Sequence, residues 1–192
     1  MIEHQKQKKR FLSRHSPSRP SSAEAGQPAK KEITAGLIVF RKTFEGPKYL
    51  LLYHRGSYWN FPKGHVEKEE GSLEAAIRET TEETGLRRSD LRILPNFKTH
   101  ERFFFRKEKE TIFKIVIIFL AETREKNVKI SDEHQGYGWF LFNDAKKILG
   151  KYRENWKTLV LADDFLHFKG KSRPAAGGAA RRFPPRPPFV KK

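Results

Sequence analysis

Three glutamates in one short segment are the residues of this sequence best suited to chemistry. Glu79, Glu82 and Glu83 fall within a predicted helix over residues 72–84, which begins at a serine and ends before a glycine. They spread over roughly 100° of the helix surface, and like charges at this spacing repel one another. Two interpretations follow: a solvated acidic face, or a binding site for a hard divalent cation, which prefers oxygen ligands.

The residues around this helix favour the second interpretation. Five residues separate Gly64 from Glu70, seven more precede Arg78, and Gly85 closes the segment. This pattern resembles the Nudix box, G-x5-E-x7-R-E-U-x-E-E-x-G-U, with every glycine and charged position filled. The single departure is Thr80, at a position where the family usually has an aliphatic residue.

The resemblance implies an enzyme of the Nudix hydrolase family, which uses Mg²⁺ or Mn²⁺ to hydrolyse a diphosphate linked to another moiety. It implies that the three helix glutamates bind the metal together with the carbonyl oxygen of Gly64. The arginine that matches Arg78 pairs in the family with a nearby glutamate, here Glu70 or Glu79, and orients it. Glu70 is therefore interpreted as mainly structural.

Two segments outside the box indicate one branch of the family. Residues 62–67 read Pro-Lys-Gly-His-Val-Glu, and residues 133–139 read Glu-His-Gln-Gly-Tyr-Gly-Trp. Both are similar to the asymmetric diadenosine tetraphosphate hydrolases, in which threonine is common at the position of Thr80. The resemblance covers roughly residues 33–150 and implies hydrolysis of diadenosine tetraphosphate to ATP and AMP by attack of water at phosphorus.

The branch also implies roles for single residues. Glu133 would approach the metal and serve as general base. Lys63 and Lys114 would contact phosphate, because a lysine is a compact positive charge. Tyr137 would stack on one face of an adenine ring, and one phenylalanine of residues 103–105 would lie on the other face of that adenine.

Each of these roles has a plainer alternative. Glu133 is also explained as a charged loop residue, Lys114 as a strand residue that points to solvent, and Tyr137 as a core residue. Tyr58 stands where some members carry a histidine that contacts phosphate. A tyrosine can donate a hydrogen bond to phosphate but carries no positive charge, which leaves the length of the polyphosphate open.

Strands and helices must bring these residues together. Apolar runs predict strands over residues 33–40, 49–53, 91–98, 102–106, 111–121 and 137–142, and a short aromatic segment spans residues 58–61. Besides the glutamate helix, we expect helices over residues 144–149 and 154–168. Strands with irregularly interspersed helices indicate an α/β (α+β) fold. The resemblance specifies the Nudix fold, a mixed β-sheet sandwiched between helices.

Charge and composition divide the chain. Of its 192 residues 40 are Lys or Arg and 23 are Asp or Glu, a net charge of +17. Residues 1–31 and 169–192 are basic and poor in apolar residues, so we predict disordered tails around one domain at residues 32–168. The tails either bind RNA or another polyanion or have no dedicated partner.

Composition also excludes several classes of protein. The chain has no cysteine, which excludes disulfide scaffolds and thiolate metal sites. Its longest apolar run, residues 115–121, is too short to span a bilayer, so we expect no membrane contact and a cytoplasmic location.

Two alternatives to the dinucleotide hydrolase remain: an RNA 5′ pyrophosphohydrolase or other nucleotide pyrophosphatase, and a non-catalytic Nudix-fold module that binds nucleotide or RNA.

Overall fold

The computed structural model of the chain describes residues 29–55, 58–108, 110–150 and 153–170. Within these residues there are seven strands and three α-helices. They are β1 (Lys30–Thr43), β2 (Gly46–His54), β3 (Tyr58–Asn60), β4 (Lys63–His65), α1 (Ser72–Thr84), β5 (Arg92–Lys107), β6 (Glu110–Glu122), β7 (His134–Leu141), α2 (Phe142–Leu149) and α3 (Arg153–Gly170).

All seven strands belong to one mixed sheet. Along its main path the order is β3-β2-β1-β6-β5, with β7 paired to β2 and β4 paired to β1. The central strands β1 and β6 are parallel, and the other pairs are antiparallel. Because β1 is long, its first half pairs with β4 and its second half with β2, so β1 links β4 to the body of the sheet.

Helices cover both faces of the sheet. On one face, alternate residues of β1 and β2, such as Leu37 and Leu50, pack against Ala75 and Ala76 of α1. On the other face, the intervening residues of β1, β2 and β6 pack against α2 and α3, as Ile38 does in the cluster that contains Leu159. This arrangement confirms the predicted α/β (α+β) sandwich of the Nudix fold.

The boundaries of α1 agree with the prediction, and its last turn shows why. Gly85 adopts a left-handed conformation with φ of 69°, and its N–H donates to the carbonyl oxygen of Thr81 at 2.8 Å. This glycine cap satisfies a terminal carbonyl and stops the helix. At the other end Gly71 is the N-cap, and the carboxylate of Glu74 accepts its N–H at 3.0 Å.

Several predicted boundaries differ from those of the structure. The stretches 91–98 and 102–106 belong to one strand, β5, because the polar residues between them also pair with β6; a bulge near Asn96 lies within the first stretch. The last strand begins at His134 rather than residue 137, and α2 begins at Phe142. The short strand β4 was not predicted at all.

None of the helices that the structure describes is long and apolar enough to cross a membrane. Residues 1–28 and 171–192, which make up most of the two predicted tails, lie outside the described residues.

Candidate active site

Gly64 of β4 lies directly against Glu79 of α1. Gly64 pairs with Ala35 of β1, so its α-carbon faces the helix side of the sheet. A β-carbon added to Gly64 would overlap the carboxylate of Glu79. Only glycine therefore allows the backbone of β4 and this carboxylate to approach so closely.

Arg78 holds the acidic residues of the segment in place. Its Nε and Nη2 donate to the two carboxylate oxygens of Glu70 at 2.9 and 3.0 Å. Its Nη1 donates to Glu79 at 2.9 Å and to Glu82 at 3.2 Å, and Nη2 also donates to the carbonyl oxygen of His65. Sequence analysis gave either Glu70 or Glu79 as the partner of Arg78. In the structure the arginine pairs with both.

The bond to Arg78 lowers the pKa of the Glu70 carboxyl, with a smaller contribution from the N–H of Glu67, which donates to it at 3.2 Å. Both carboxylate oxygens of Glu70 are thus engaged within the segment. Such paired, bidentate geometry fixes a loop rather than presenting a free ligand, which agrees with a structural role for Glu70.

Glu83 is the most buried of the three helix glutamates, with 6% of its surface exposed. Its Oε2 accepts the backbone N–H of Lys63 at 3.0 Å. Burial raises the pKa of Glu83 to about 7; the charge of Lys63 opposes this rise, and the charges of Glu79 and Glu133 add to it. A positive charge beside Glu83 would therefore stabilise its ionised form.

The two lysines predicted to bind phosphate lie near each other. Burial lowers the pKa of Lys63, the charge of Glu83 opposes this, and the charge of Lys114 lowers it further. The side chain of Lys114 is half-buried, with its Nζ 3.9 Å from the carboxylate of Glu32 and over the ring of Phe105. Lys114 thus does not point freely into solvent. The alternative interpretation of this lysine required that it did.

Sequence analysis missed His54, the last residue of β2. Its ring stacks on the ring of Tyr58 with centroids 4.6 Å apart and lies 4.3 Å from the ring of His134. Burial lowers the pKa of His54 to about 4, and the charge of Lys63 contributes. The imidazole of His54 is therefore neutral. It stacks on Tyr58, the loop residue that stands where some members of the family carry a histidine. No local sequence pattern indicated this contact.

The residues of the late motif occupy two different environments. Glu133 is exposed in the turn before β7, and its charge reaches Glu83. Tyr137 pairs with Leu52 on the face covered by α1, and 39% of its surface is exposed. Lys114 pairs with Phe103 in the row of β6 residues that faces α3. Glu133 therefore lies near Glu83, while Tyr137 and Lys114 lie on opposite faces of the sheet.

Among the described residues, no group of three or more histidine or acidic side chains converges closely enough to hold a metal ion. Glu79 and Glu82 instead turn toward Arg78. The chemistry of these residues nevertheless fits a hard divalent cation. They offer carboxylate oxygens beside a backbone carbonyl, and the raised pKa of Glu83 marks a place where added positive charge is favourable.

Comparisons with known proteins agree with this geometry. The NUDIX domain profile matches residues 30–160. The chain is 38% identical over 142 residues to the asymmetrical bis(5'-nucleosyl)-tetraphosphatase of Mus musculus, covering 68% of this chain and 92% of that protein. The Caenorhabditis elegans protein of the same name is 36% identical over 135 residues, covering 69% and 94%. The crystal structure of a C. elegans Ap4A hydrolase binary complex matches with a TM-score of 0.62 and 34% identity, covering 71% of this chain and 98% of that one.

Proposed function

The chain belongs to the NUDIX family of hydrolases, and from this premise we propose that it hydrolyses diadenosine tetraphosphate to ATP and AMP. The observation that carries the proposal is the position of β4 against α1, where Glu79 lies against Gly64 and Glu83 accepts the backbone N–H of Lys63. A phosphate bound at this strand would meet lysine ammonium groups and carboxylates together. Sequence similarity to enzymes named for this substrate class supports the same conclusion.

The proposed cofactor is Mg²⁺ or Mn²⁺. The residues proposed to hold it are Glu79, Glu82, Glu83, Glu133 and the carbonyl oxygen of Gly64. When bound, such an ion supplies positive charge that neutralises the polyphosphate and lowers the pKa of a water molecule. The ionised form of Glu83 would gain most from that charge, since its carboxylate is buried beside other carboxylates.

The protein's own residues bind and orient the substrate. Lys63 and Lys114 bind phosphate oxygens as compact positive charges, and Tyr58, supported by the stacked ring of His54, donates a hydrogen bond to a phosphate oxygen. Tyr137 offers an exposed aromatic ring for stacking with an adenine at the outer end of the substrate. Arg78 does not touch the substrate and keeps Glu70 and Glu79 in position.

Hydrolysis transfers a proton from the attacking water. We assign that proton to the Glu133 carboxylate, which is solvent-exposed and close enough for its charge to influence Glu83. The oxygen of the water bonds to phosphorus as the bond to the leaving phosphate oxygen breaks, in line with the attack. Cleavage next to one adenosine monophosphate unit gives AMP and ATP.

The test is an assay of the purified chain with Mg²⁺ against diadenosine tetraphosphate, triphosphorylated RNA and nucleoside triphosphates, with products identified. We expect equal amounts of ATP and AMP from the dinucleotide, and a rate two to three orders of magnitude lower for the Glu83→Gln variant. Two molecules of ADP, or turnover of triphosphorylated RNA alone, would overturn the proposed substrate. No turnover of any member of this panel would instead favour a binding module.

A further inference from the structure

One side of the edge strand β5 carries a basic and aromatic stripe. Alternate residues of a strand point to the same face of the sheet. The alternate residues on this side are all exposed and are Lys98, His100, Arg102, Phe104 and Arg106. None of them is acidic, and 54% of the surface of Phe104 is exposed, which is unusual for an aromatic side chain in a sheet.

The neighbouring strand extends this surface with apolar side chains. The residues of β6 opposite the stripe are Phe119, Ile117, Ile115, Phe113 and Thr111, again without an acidic residue. The rings of Phe104 and Phe113 lie 4.8 Å apart, and the Nζ of Lys98 lies 5.4 Å from the ring of Phe119. Helix α1 packs against the part near Phe119 and leaves the Phe104 end open.

Charge complementarity identifies the occupant. Lys98 and Arg102 form no ion pair with any residue that the structure describes, so both are available to an anion. An aromatic face in a row with lysine and arginine side chains suits a ligand that alternates bases and phosphates. We propose that this open sheet face binds single-stranded nucleic acid, with bases stacked on Phe104 and phosphates bound by Lys98 and Arg102.

The stripe is separate from the proposed catalytic residues but close to them. One row of paired residues runs from Gly64 through Ala35 and Ile117 to His100. Three strand spacings place the stripe about 14 Å from Gly64. A nucleic acid bound there would lie beside the catalytic segment without occupying it. The proposal therefore does not depend on which phosphate compound the enzyme hydrolyses.

The test uses the full chain and a fluorescent oligouridylate of about 12 nucleotides with a 5′-hydroxyl end, so that no polyphosphate is present. The first variant, Lys98→Gln with Arg102→Gln, removes two charges from the stripe. The matched control, Lys42→Gln with Arg87→Gln, removes two charges elsewhere from side chains that are 73% and 79% exposed. Phe104→Leu removes the aromatic face but keeps an apolar side chain.

The stripe variant should bind at least tenfold more weakly and reduce the slope of log affinity against log salt by about 1.4, because each lost phosphate contact contributes about 0.7. The control should change affinity by less than threefold and leave the slope unchanged. Phe104→Leu should weaken binding of the single strand about fivefold and leave binding of a duplex unchanged. Melting temperatures of all variants, whose changed side chains are exposed, should stay close to wild type.

An equal loss of affinity in the stripe variant and in the control would overturn the proposal. It would mean that every positive charge of the chain contributes equally to binding of the oligouridylate. Unchanged affinity in Phe104→Leu would also overturn it, because no base would then stack on that ring. Tighter binding of duplex than of single strand by the wild-type chain would have the same consequence.

Discussion

Tyr49 of β2 donates a hydrogen bond of 2.6 Å from its hydroxyl to a carboxylate oxygen of Asp163 in α3. Both residues are buried, and burial together with this bond raises the pKa of the tyrosine. The ring of His167 also lies near, with its Nδ1 3.3 Å from the other carboxylate oxygen of Asp163. The bond thus ties β2 to α3 in the core.

Replacing Tyr49 with Phe should destabilise the fold by about 1–3 kcal/mol, because it leaves a buried carboxylate without its strongest donor. The measurement is urea unfolding at neutral pH. Tyr53→Phe is the matched control, since the Tyr53 hydroxyl has no hydrogen-bond partner in the part of the chain that the structure describes. Equal free energies of unfolding for the two variants would contradict the importance of this bond.

A second stability prediction concerns Glu101, whose pKa is raised by burial although Thr158 donates a 2.6 Å hydrogen bond to it. A carboxyl with a folded pKa above its unfolded pKa favours folding below the unfolded value, near pH 4.3, and loses that contribution as pH rises through the folded value. Glu101→Gln can still accept the bond from Thr158. The variant should therefore melt higher than wild type at pH 8, with the difference vanishing near pH 4.

Thermal unfolding between pH 4 and pH 8 measures this difference. Glu45→Gln serves as control, because Glu45 is exposed and pairs with Lys48 at the surface, where a substitution changes stability by about 0.5 kcal/mol or less. A pH-independent difference between Glu101→Gln and wild type would show that ionisation of Glu101 does not affect folding.

The close approach of Gly64 to Glu79 leads to a prediction about activity. In Gly64→Ala the new methyl group would displace the Glu79 carboxylate from its position beside β4 and Arg78. We expect turnover to fall about 100-fold, which corresponds to about 2.7 kcal/mol at the transition state. Gly136→Ala is the matched control, since its β-carbon would meet only the β-carbon of Tyr53 at an ordinary 3.9 Å. Equal turnover of both variants would contradict a catalytic role for the Gly64–Glu79 approach.

Sequence analysis found those parts of the site that local signals determine. The helix that carries Glu79 and Glu83 is bounded by Gly71 and Gly85, which lie a few residues from the glutamates they position. The pairing of Arg78 with Glu70 also lies within one segment. Spacing along the chain was enough to predict these features because they depend on residues close in sequence.

Contacts between distant segments could not be predicted in the same way. His54 meets His134 only because β2 pairs with β7, and nothing near either residue encodes that pairing. The short strand β4 lacks an apolar run of its own and is a strand because Gly64 pairs with Ala35. Polar residues such as His100 extend β5 because β6 supplies the hydrogen-bonding partner.

Tyr137→Ala should raise the Michaelis constant for diadenosine tetraphosphate more than it lowers the maximal rate, if the ring stacks on adenine away from the reacting phosphorus. Because 39% of the side chain is exposed, we expect little loss of stability. Steady-state kinetics combined with a melting curve measures both effects. A variant that melts early yet keeps wild-type kinetics when folded would show that Tyr137 has only a packing role.

Glu83→Gln separates the catalytic and structural roles of the buried glutamate. The change keeps the size of the side chain and its ability to accept the N–H of Lys63, but it removes the charge proposed to bind the metal. Turnover with Mg²⁺ should fall by two to three orders of magnitude, about 3–4 kcal/mol at the transition state. Without metal the variant should melt higher than wild type, because a buried carboxyl beside Glu79 and Glu133 no longer ionises.

Glu74→Gln is the control for this experiment, since Glu74 lies on the same helix but is exposed and serves only the N-terminal cap. Titration with Mg²⁺ should raise the melting temperature of the wild-type chain and of Glu74→Gln, because an ion that binds only the folded state stabilises it. The rise should be much smaller in Glu83→Gln. Wild-type turnover by Glu83→Gln, or an equal rise in all three proteins, would show that Glu83 does not bind the metal, and the buried carboxylate would then need another explanation.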